Sequence, residues 1–402
     1  MKKKGEAMSL KLFLTIIATT LFLMSCQPGK EEKILKKFSE EYAGIKNRYE
    51  ENISFASSSE QHKTYRFQKA TECEELLKKY GEQVSSEPAE LLKAKLAIET
   101  SRFDEAEQKI TGLIDNKSSL INEAKLAKIQ ILIYRNKPDE ALTILREIQE
   151  KVEPGLELLS AYLYFALYSR DGSVIEEYAG KFLGSPAIPR ALNSYKADIY
   201  RSLSFAALLK NDRERAVSNL EKAISETGDQ EKKVKWQTEL TQLQTIGTPA
   251  LPIYAEIWLN SYPIDLTQLK NKAILMVFWA PWSNYSRQAI PGLVELYGKY
   301  KDKGLVIIGL TKLYGNYKDD AGDKGVVNAN DEITSIKEFI TRNQISYPVA
   351  VAVETINYET YKIENVPTFV FIDKRGKLAL KLVGTWQKTF LDNQINRLLE
   401  EN

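Results

Sequence analysis

Very few side chains in this sequence could serve as nucleophiles, general bases or metal ligands. The 402 residues include one histidine, His62, and two cysteines, Cys26 and Cys73. A Ser-His-Asp triad, a Cys-His pair or a zinc site would have to be built around that one histidine, and zinc takes three or four ligands. The sequence therefore argues against enzymes of these common types, and it predicts no metal site and no cofactor.

The charge balance argues against a nucleic-acid partner. The chain carries 56 basic and 54 acidic side chains, a formal net charge of +2, whereas binding to phosphates needs a concentrated basic face. Its length is enough for two or three domains of about 100 to 200 residues each. The sequence thus predicts a multidomain protein that does not bind nucleic acid.

The first cysteine ends an N-terminal signal. Lysines precede an uncharged run, 12–23, that is too short to cross a hydrocarbon core of about 30 Å as a helix. The run ends in Leu23-Met24-Ser25-Cys26, which resembles the lipobox of bacterial lipoproteins. The resemblance implies removal of residues 1–25, lipidation of Cys26, and a lipid-anchored location in the bacterial cell envelope, facing the periplasm or the cell exterior. An ordinary cleaved signal with a coincidental cysteine is the alternative, and Met8 is an alternative start.

The second cysteine would then be the only free thiol, so the sequence predicts no intramolecular disulfide. Cys73 lies on an apolar helical stripe, where a cysteine behaves as a small buried hydrophobe. Residues 26–33 are predicted to be a short polar tether. His62 lies in a polar segment, 60–63, that is predicted to be a solvated connection.

Residues 34–245 have the period of α-helices throughout, with apolar residues at three- and four-residue spacing. The first helix has its stripe at Ile34, Phe38, Tyr42, Ile45 and Tyr49. A weak repeat starts a helix with a small residue after a polar turn, and a larger apolar residue follows four positions later. The repeat pairs are Ala106 with Ile110, Ala141 with Leu145, and Ala216 with Leu220.

The spacing of the repeat sets a register. Ala106 and Ala141 are 35 residues apart, and 34 more residues lead to Ile175. Ala94 and Ser204, each twelve residues before a repeat alanine, fit the small position that faces it, whereas Ile129, twelve residues before Ala141, does not. This pattern resembles tetratricopeptide repeats, in which small residues let paired helices approach closely. A generic array of helical hairpins fits equally well, and either array presents a concave face for another polypeptide or serves as a plain scaffold.

The period changes after residue 247. Short apolar runs typical of strands covered on both faces now alternate with helical segments, which indicates an α/β layer fold. The predicted strands are 273–280, 305–311, 347–353, 368–373 and 378–383. The predicted helices are 285–301, 332–343 and 388–401. The fold class is therefore a helical-hairpin array at 34–245 followed by an α/β domain at 249–402.

One motif in the second domain carries a family resemblance. Residues 277–287 read Val-Phe-Trp-Ala-Pro-Trp-Ser-Asn-Tyr-Ser-Arg, and Ile290-Pro291-Gly292-Leu293 follows. Further matching segments are 297–310, 366–369, 372–377 and Gly384. Together they resemble the TlpA-type thioredoxin-like reductases of the redoxin family, membrane-anchored extracytoplasmic proteins with the motif FWAxWCxxCRxxxP. The resemblance covers 249–402 and implies a thioredoxin-like fold.

The sequence departs from this family at the reacting atoms. Ser283 and Ser286 stand where the family has the two cysteines of Cys-x-x-Cys. A serine is hardly ionised at neutral pH and cannot form the mixed disulfide that thiol–disulfide exchange needs. The carboxylate that thioredoxins often bury before the FWA motif is replaced by Val277. We therefore expect no catalytic residue here, and we expect Ser283 to cap the following helix.

The resemblance also implies a peptide-binding groove. In the family the peptide bond before the proline that matches Pro367 is cis, and the backbone of the preceding residue, here Val366, pairs with an extended substrate segment. Trp282, Tyr285 and Gly384 would complete the lining. The alternative is that Pro367 only shapes the turn and that Trp282 only packs against the core.

Three functional hypotheses follow. The leading one is a membrane-anchored, extracytoplasmic binding or assembly protein with a redox-inactive thioredoxin-like domain, which holds a protein or peptide partner at the helical array and the groove. The second is a thiol-disulfide oxidoreductase or peroxide-reductase-like enzyme that takes a thiol from a partner or from Cys73. The third is a lipoprotein scaffold with an unused groove. The insertion 314–331 is predicted to be a loop that covers the groove or lies idle.

Overall fold

The computed structural model describes residues 29–55 and 59–400. Cys26, the predicted signal peptide 1–25 and the first part of the polar tether lie outside the described residues. Within the described ranges, no helix is both long enough and apolar enough to span a membrane.

The chain divides into two compact units, with the division between Ile199 and Tyr200. The helices that immediately precede the sheet are therefore grouped with it. The predicted domain limits at 245 and 249, which rest on the change of sequence period, stay a prediction.

The first unit is built of helices that pack mainly in consecutive pairs. The apolar stripe predicted for the first helix is confirmed, since Phe38, Tyr42, Ile45 and Tyr49 form one buried cluster with residues of the second helix. The helices are α1 Lys30–Phe55, α2 Ser59–Tyr80, α3 Glu87–Glu99, α4 Phe103–Asp115, α5 Ile121–Tyr134, α6 Pro138–Ile148, α7 Leu156–Tyr168, α8 Gly172–Leu183, α9 Arg190–Asn193 and α10 Lys196–Leu209, which runs across the division.

The repeat register is visible in the backbone of the turns. The residue five positions before each repeat alanine has a left-handed conformation, with φ values of 60° at Ser101, 58° at Asn136 and 61° at Asn211. The next residue donates its N–H to a carbonyl five positions back in each case, at 2.8, 2.8 and 2.9 Å. This is the six-to-one bond that ends a helix in a Schellman motif. The repeat is therefore a structural unit, and the tetratricopeptide-like organisation is confirmed.

The predicted small positions lie at the helix crossings. Ala106, Ala141 and Ala216 are fully buried, as is Ala94. Ser204, which is predicted to face Ala216, donates its hydroxyl to the Ala216 carbonyl at 2.6 Å. A larger side chain at these crossings would force the paired helices apart, because core packing leaves no room for it.

The second unit combines helices with a mixed sheet. Three helices come first and are followed by six strands with intervening helices and a small hairpin. Beyond α10 the elements are α11 Arg213–Glu226, α12 Gln230–Leu243, β1 Ile257–Leu259, β2 Ala273–Phe278, α13 Asn284–Tyr300, β3 Leu305–Lys312, β4 Asn316–Lys318, β5 Asp323–Val326, α14 Ala329–Arg342, β6 Val349–Ala352, α15 Ile356–Thr360, β7 Thr368–Ile372, β8 Leu378–Val383 and α16 Lys388–Glu400.

The sheet has the order β1-β6-β3-β2-β7-β8. The β6-β3-β2 strands are parallel, and β1, β7 and β8 pair antiparallel to their neighbours. Helices α13, α14 and α16 cover one face, and the segment 250–269 with residues near α15 covers the other. All six residues of β2 are buried, which explains its uninterrupted apolar sequence.

The predicted strands and helices of this unit are confirmed to within a few residues at their ends. Two expectations are wrong. The insertion 314–331 is not a loop throughout, because β4 and β5 pair in it as a two-stranded hairpin and α14 begins within it. His62 lies in helix α2 rather than in a connection. The edge strand β1 was not predicted, because three residues are too few to show an alternating pattern of apolar and polar side chains.

Candidate functional site

The central strand of the sheet delivers the Ser-x-x-Ser motif to the start of α13. The Trp279 N–H donates to the Leu310 carbonyl at 3.0 Å, so the pairing of β2 with β3 continues past Phe278. The chain then turns, and Ser283 becomes the N-cap of α13. The motif is thus held between a buried strand and a helix of 17 residues.

Ser283 is bonded on both sides to the backbone. Its Oγ accepts the N–H of Ser286 at 3.2 Å and donates to the Val366 carbonyl at 3.4 Å. The side chain is nearly buried, at 5% exposure. Neither partner can remove the hydroxyl proton, and such a base is what would make serine a nucleophile. The prediction that Ser283 caps the helix is confirmed.

Ser286 lies in the first turn of α13 and is also buried, at 1% exposure. Its Oγ accepts the Ala280 N–H at 3.4 Å, a long hydrogen bond. Val277, at the position where thioredoxins often bury a carboxylate, is an apolar residue paired between Gly309 and Phe369. The structure therefore has hydroxyl groups at the two motif positions and an apolar side chain at 277.

The loop before β7 closes over Ser283. The Val366–Pro367 peptide bond is cis, as predicted. Gly384 donates its N–H to the Pro367 carbonyl at 2.8 Å from a left-handed conformation, φ 84°, that favours glycine. Hydrogen bonds therefore join Ser283 to Val366 and Pro367 to Gly384.

Two of the predicted groove residues present their side chains to solvent. Trp282 is 44% exposed and Tyr285 is 61% exposed, whereas Val366 is half-buried. Single exposed aromatic side chains are common on protein surfaces, so exposure alone does not identify a binding site. For Trp282, packing against the protein accounts for only the buried part of its surface. The assignment of all five lining residues to a peptide groove stays a prediction.

The structure adds an aromatic wall that sequence reasoning missed. The Trp282 ring meets Tyr314 edge to face, with ring centroids 5.7 Å apart. The hydroxyls of Tyr314 and Tyr358 lie 3.4 Å apart, and Tyr358 donates to the Trp279 carbonyl at 3.4 Å. Burial raises the pKa of both tyrosines, so both remain hydrogen-bond donors at neutral pH. Tyr314 starts the insertion and Tyr358 lies in α15, and no pattern in the sequence indicated that these two residues would be close in space.

A buried glutamate fixes this wall. The Glu332 carboxylate accepts the N–H groups of Tyr314 at 2.8 Å and Gly315 at 2.9 Å. The ammonium of Lys312 lies over the rings of Tyr314 and Tyr358, 5.3 and 5.2 Å from their centroids, which is within the range of cation–π attraction. The first residues of the insertion are therefore held in place beside the motif by these contacts.

The remainder of the insertion is tied to α14. Tyr317 donates its hydroxyl to the Asp319 carboxylate at 2.7 Å, and Arg342 pairs with the same carboxylate at 2.6 Å. Burial opposes ionisation of Asp319, but these hydrogen bonds outweigh it and lower its pKa. The hairpin is thus an anchored element beside the site.

The other candidate nucleophile is far less reactive than a catalytic thiol. Cys73 is fully buried within the apolar cluster of the first unit. Burial raises the pKa of its thiol to about 12, whereas a reactive cysteine has a lowered pKa. The prediction of a buried structural cysteine is confirmed. Within the described residues, no group of three or more histidine, cysteine or acidic side chains could hold a metal ion.

Comparison with known proteins gives two family matches. The profile of the AhpC/TSA family matches residues 255–381, and a tetratricopeptide repeat-like domain matches residues 35–153. The thiol-disulfide oxidoreductase ResA of a Bacillus cereus strain is 29% identical over 153 residues, which are 38% of this chain and 78% of the relative. ResA of Bacillus subtilis (strain 168) is 20% identical over 137 residues, 34% and 67% of the two chains.

Two solved structures are also similar to part of this chain. A putative thiol:disulfide interchange protein DsbE from Chlorobium tepidum is 21% identical with a TM-score of 0.31, covering 38% of this chain and 97% of that one. The thioredoxin domain of a thiol-disulfide oxidoreductase from Bacteroides vulgatus is 21% identical with a TM-score of 0.31, covering 39% and 98%.

Proposed function

Because the chain carries an AhpC/TSA-type, thioredoxin-like domain of the thiol-disulfide oxidoreductase family behind a tetratricopeptide-like domain, we propose that it is a redox-inactive member that binds a polypeptide. It acts outside the cytoplasm, anchored to a membrane by lipid on Cys26. The single observation that carries this proposal is the pair Ser283 and Ser286, whose side-chain oxygens make hydrogen bonds with the backbone at the two thiol positions.

The absent reaction follows from the chemistry of exchange. One thiolate must attack a disulfide, and a second thiol must resolve the mixed disulfide. A hydroxyl at Ser283 forms no stable bond to sulfur in this way, and its hydrogen-bond partners are backbone groups. Ser286 cannot resolve a bond that does not form. The domain would therefore keep the fold without the reaction.

The binding role rests on what the site retains. Trp282 and Tyr285 offer exposed aromatic surface beside the cis-proline loop. The Val366 carbonyl has a second lone pair beyond the one used by Ser283. An extended segment can therefore hydrogen-bond to this backbone while its side chains contact the rings, which is the strand-addition mode of peptide recognition. The helical repeats would supply a second surface for the same partner.

An insulin-reduction assay tests redox inactivity. The purified protein should reduce insulin no faster than buffer with the same dithiothreitol. The matched positive control carries Ser283→Cys and Ser286→Cys together, which restores both sulfurs on the same fold and should give measurable turnover. Turnover by the unaltered protein would overturn the proposal.

A second function, a thiol-disulfide oxidoreductase with a thiol supplied from elsewhere, is favoured by the names of the relatives. Cys73 is a poor source, because its thiol is buried and its pKa is raised. If it were the source, alkylating Cys73 would abolish a measurable reductase activity. If a partner were the source, the protein would reduce insulin only when that partner was added.

Photocrosslinking separates peptide binding from a scaffold with an unused groove. A photoreactive residue at Trp282 or Val366 should capture a polypeptide in native membranes. The matched control position is Lys303, which follows the far end of α13, about 25 Å away at 1.5 Å per residue. A polypeptide captured equally at all three positions, or at none, would favour the scaffold.

Anchoring has its own test. The Cys26→Ala variant should move from the membrane fraction to the soluble fraction, because no other lipid attachment site is proposed. Metabolic labelling with an alkyne fatty acid should mark the unaltered protein and leave the variant unmarked. A variant that stays with the membrane would refute the lipid anchor while leaving the redox proposal intact.

A further inference from the structure

The second unit contains a cavity away from the Ser-x-x-Ser motif. Its volume is about 580 Å³, and it lies among α10, α12, the loop 360–364 and the edge strand β8. Every lining residue belongs to the second unit. The volume falls within the range of about 300 to 1,000 Å³ that is usual for small-molecule sites.

The cavity walls are largely apolar. Phe205 and Leu208 line it from α10, Leu243 from α12, and Leu251 from the segment that leads to the sheet. Trp386 closes one end, with its ring centroid 5.7 Å from that of Phe205. Its indole N–H donates to the Val383 carbonyl at the outer edge of β8. Such walls favour a hydrocarbon chain over water.

One of the charged residues of the lining, Lys381, is only partly exposed and lies on the sheet itself. Lys381 pairs with Val370 across β8 and β7, and its ammonium donates to the carbonyls of Tyr361 at 3.0 Å and Lys362 at 2.7 Å. The third hydrogen bond, to Gln242 Oε1, is long at 3.4 Å. All three acceptors are neutral, and no carboxylate of the described residues lies within ion-pair distance of Lys381. Burial lowers the pKa of this lysine, and the nearby Glu364 carboxylate opposes that lowering.

The other charges around the cavity leave its lining with a net positive charge. Glu239 is already paired with Arg201 at 2.8 Å. That pair leaves Glu364 as the one remaining acidic residue of the lining against three lysines. The three lysines are Lys235, Lys362 and Lys381. The lining therefore carries two more positive than negative charges, and an anionic ligand would complete it.

We propose that this cavity binds a small amphipathic monocarboxylate, with its apolar chain between α10 and the edge of the sheet and its carboxylate at Lys381. The carboxylate replaces the long bond to Gln242 with a charge-assisted hydrogen bond, which is shorter and stronger. The apolar chain lies against Phe205 and Trp386. Neither serine of the Ser-x-x-Ser motif lines this cavity, and the proposal does not depend on the function proposed for the groove.

Calorimetric titration of the full-length protein with decanoate, below its micellar concentration, tests the charge recognition. Decanol is the matched uncharged probe and should bind at least about tenfold more weakly, the effect of one charge-assisted hydrogen bond. Lys381→Met should lose that preference and leave decanol binding nearly unchanged. The control Lys337→Met removes an exposed lysine of α14 and should behave as the unaltered protein does.

A second measurement locates the chain. A decanoate brominated near its methyl end should quench tryptophan fluorescence, and Trp386→Phe should remove most of that quenching. Thr238→Trp, which adds bulk to the cavity lining from α12, should abolish binding while the circular dichroism stays native. The proposal would be overturned if decanoate did not bind or bound no more tightly than decanol. It would also be overturned if Lys381→Met bound decanoate with unchanged affinity, or if only an extended peptide displaced decanoate.

Discussion

The Ser283→Ala variant tests whether the Ser283 side chain stabilises the protein as the N-cap of α13. Ser283 closes the first turn of α13 by accepting the Ser286 N–H at 3.2 Å. Alanine keeps the Cβ but removes this acceptor, so one of the free N–H groups at the helix start loses its partner. Because the site is nearly buried, water cannot replace the oxygen freely.

The expected cost is about 1 kcal/mol of unfolding free energy, within a range of about 0.5 to 2 kcal/mol for serine N-caps. The 3.4 Å bond to the Val366 carbonyl adds little, because hydrogen bonds weaken at this length. For a unit of this size, about 1 kcal/mol corresponds to a lowering of Tm by about 2 to 4 °C.

Urea unfolding followed by tryptophan fluorescence measures this effect in the intact protein. The five tryptophans of the chain all lie in the second unit, so their emission reports that unit alone. They are Trp236, Trp258, Trp279, Trp282 and Trp386. The midpoint should shift to lower urea with little change in slope, since the surface exposed on unfolding is unaltered.

Ser283→Thr is the matched control, because threonine keeps the hydroxyl and is nearly as good an N-cap. It should recover most of the lost stability. The capping argument would be refuted if the alanine variant were as stable as the unaltered protein, or if the threonine variant were destabilised to the same extent as alanine.

Three further predictions follow from the packing and charges. Gly309→Ala should cost about 1 to 3 kcal/mol in the same urea assay, because an added Cβ would lie 3.1 Å from the Tyr347 ring; unchanged stability would show that the ring can move away. Arg342→Met should raise the pKa of Asp319, measured by NMR titration. The pKa of Asp319 is lowered in the folded protein. The stability that this carboxylate contributes is therefore present above its unfolded pKa and is lost as pH falls through its folded pKa. The variant should lose this stability at a higher pH than the unaltered protein. Cys73 should resist iodoacetamide at neutral pH and react after unfolding in urea, whereas rapid native labelling would contradict its burial.

The repeat domain shows how much a local pattern can determine. Helix crossings need small residues at fixed spacing, and the 35-residue separation of Ala106 and Ala141 recurs in the left-handed turns at Ser101 and Asn136. These contacts join neighbouring helices, so both partners lie close in sequence. The repeat register could therefore be predicted from the sequence, even though the repeats share few identical residues.

The aromatic wall shows the opposite case. Tyr314 and Tyr358 are 44 residues apart in sequence. Their hydroxyls lie close together because Tyr314 follows β3 and Tyr358 lies in the helix after β6, and these two strands are neighbours in the sheet. The insertion was predicted to be a loop, because its two short strands and the Arg342–Asp319 ion pair that ties it to α14 leave no periodic pattern in the sequence. Nothing local in the sequence records such a partner.

The sequence by itself determined the fold class, the repeat register and the absence of sulfur at 283 and 286, because these depend on residue type and short-range spacing. Only the tertiary structure decided that Ser283 caps its helix against Val366, and that Lys381 lies in an apolar cavity without a carboxylate partner among the described residues. Burial and charge compensation depend on groups that are distant in the chain. The physical environment of a side chain is therefore fixed only when the sheet and helices bring those groups together.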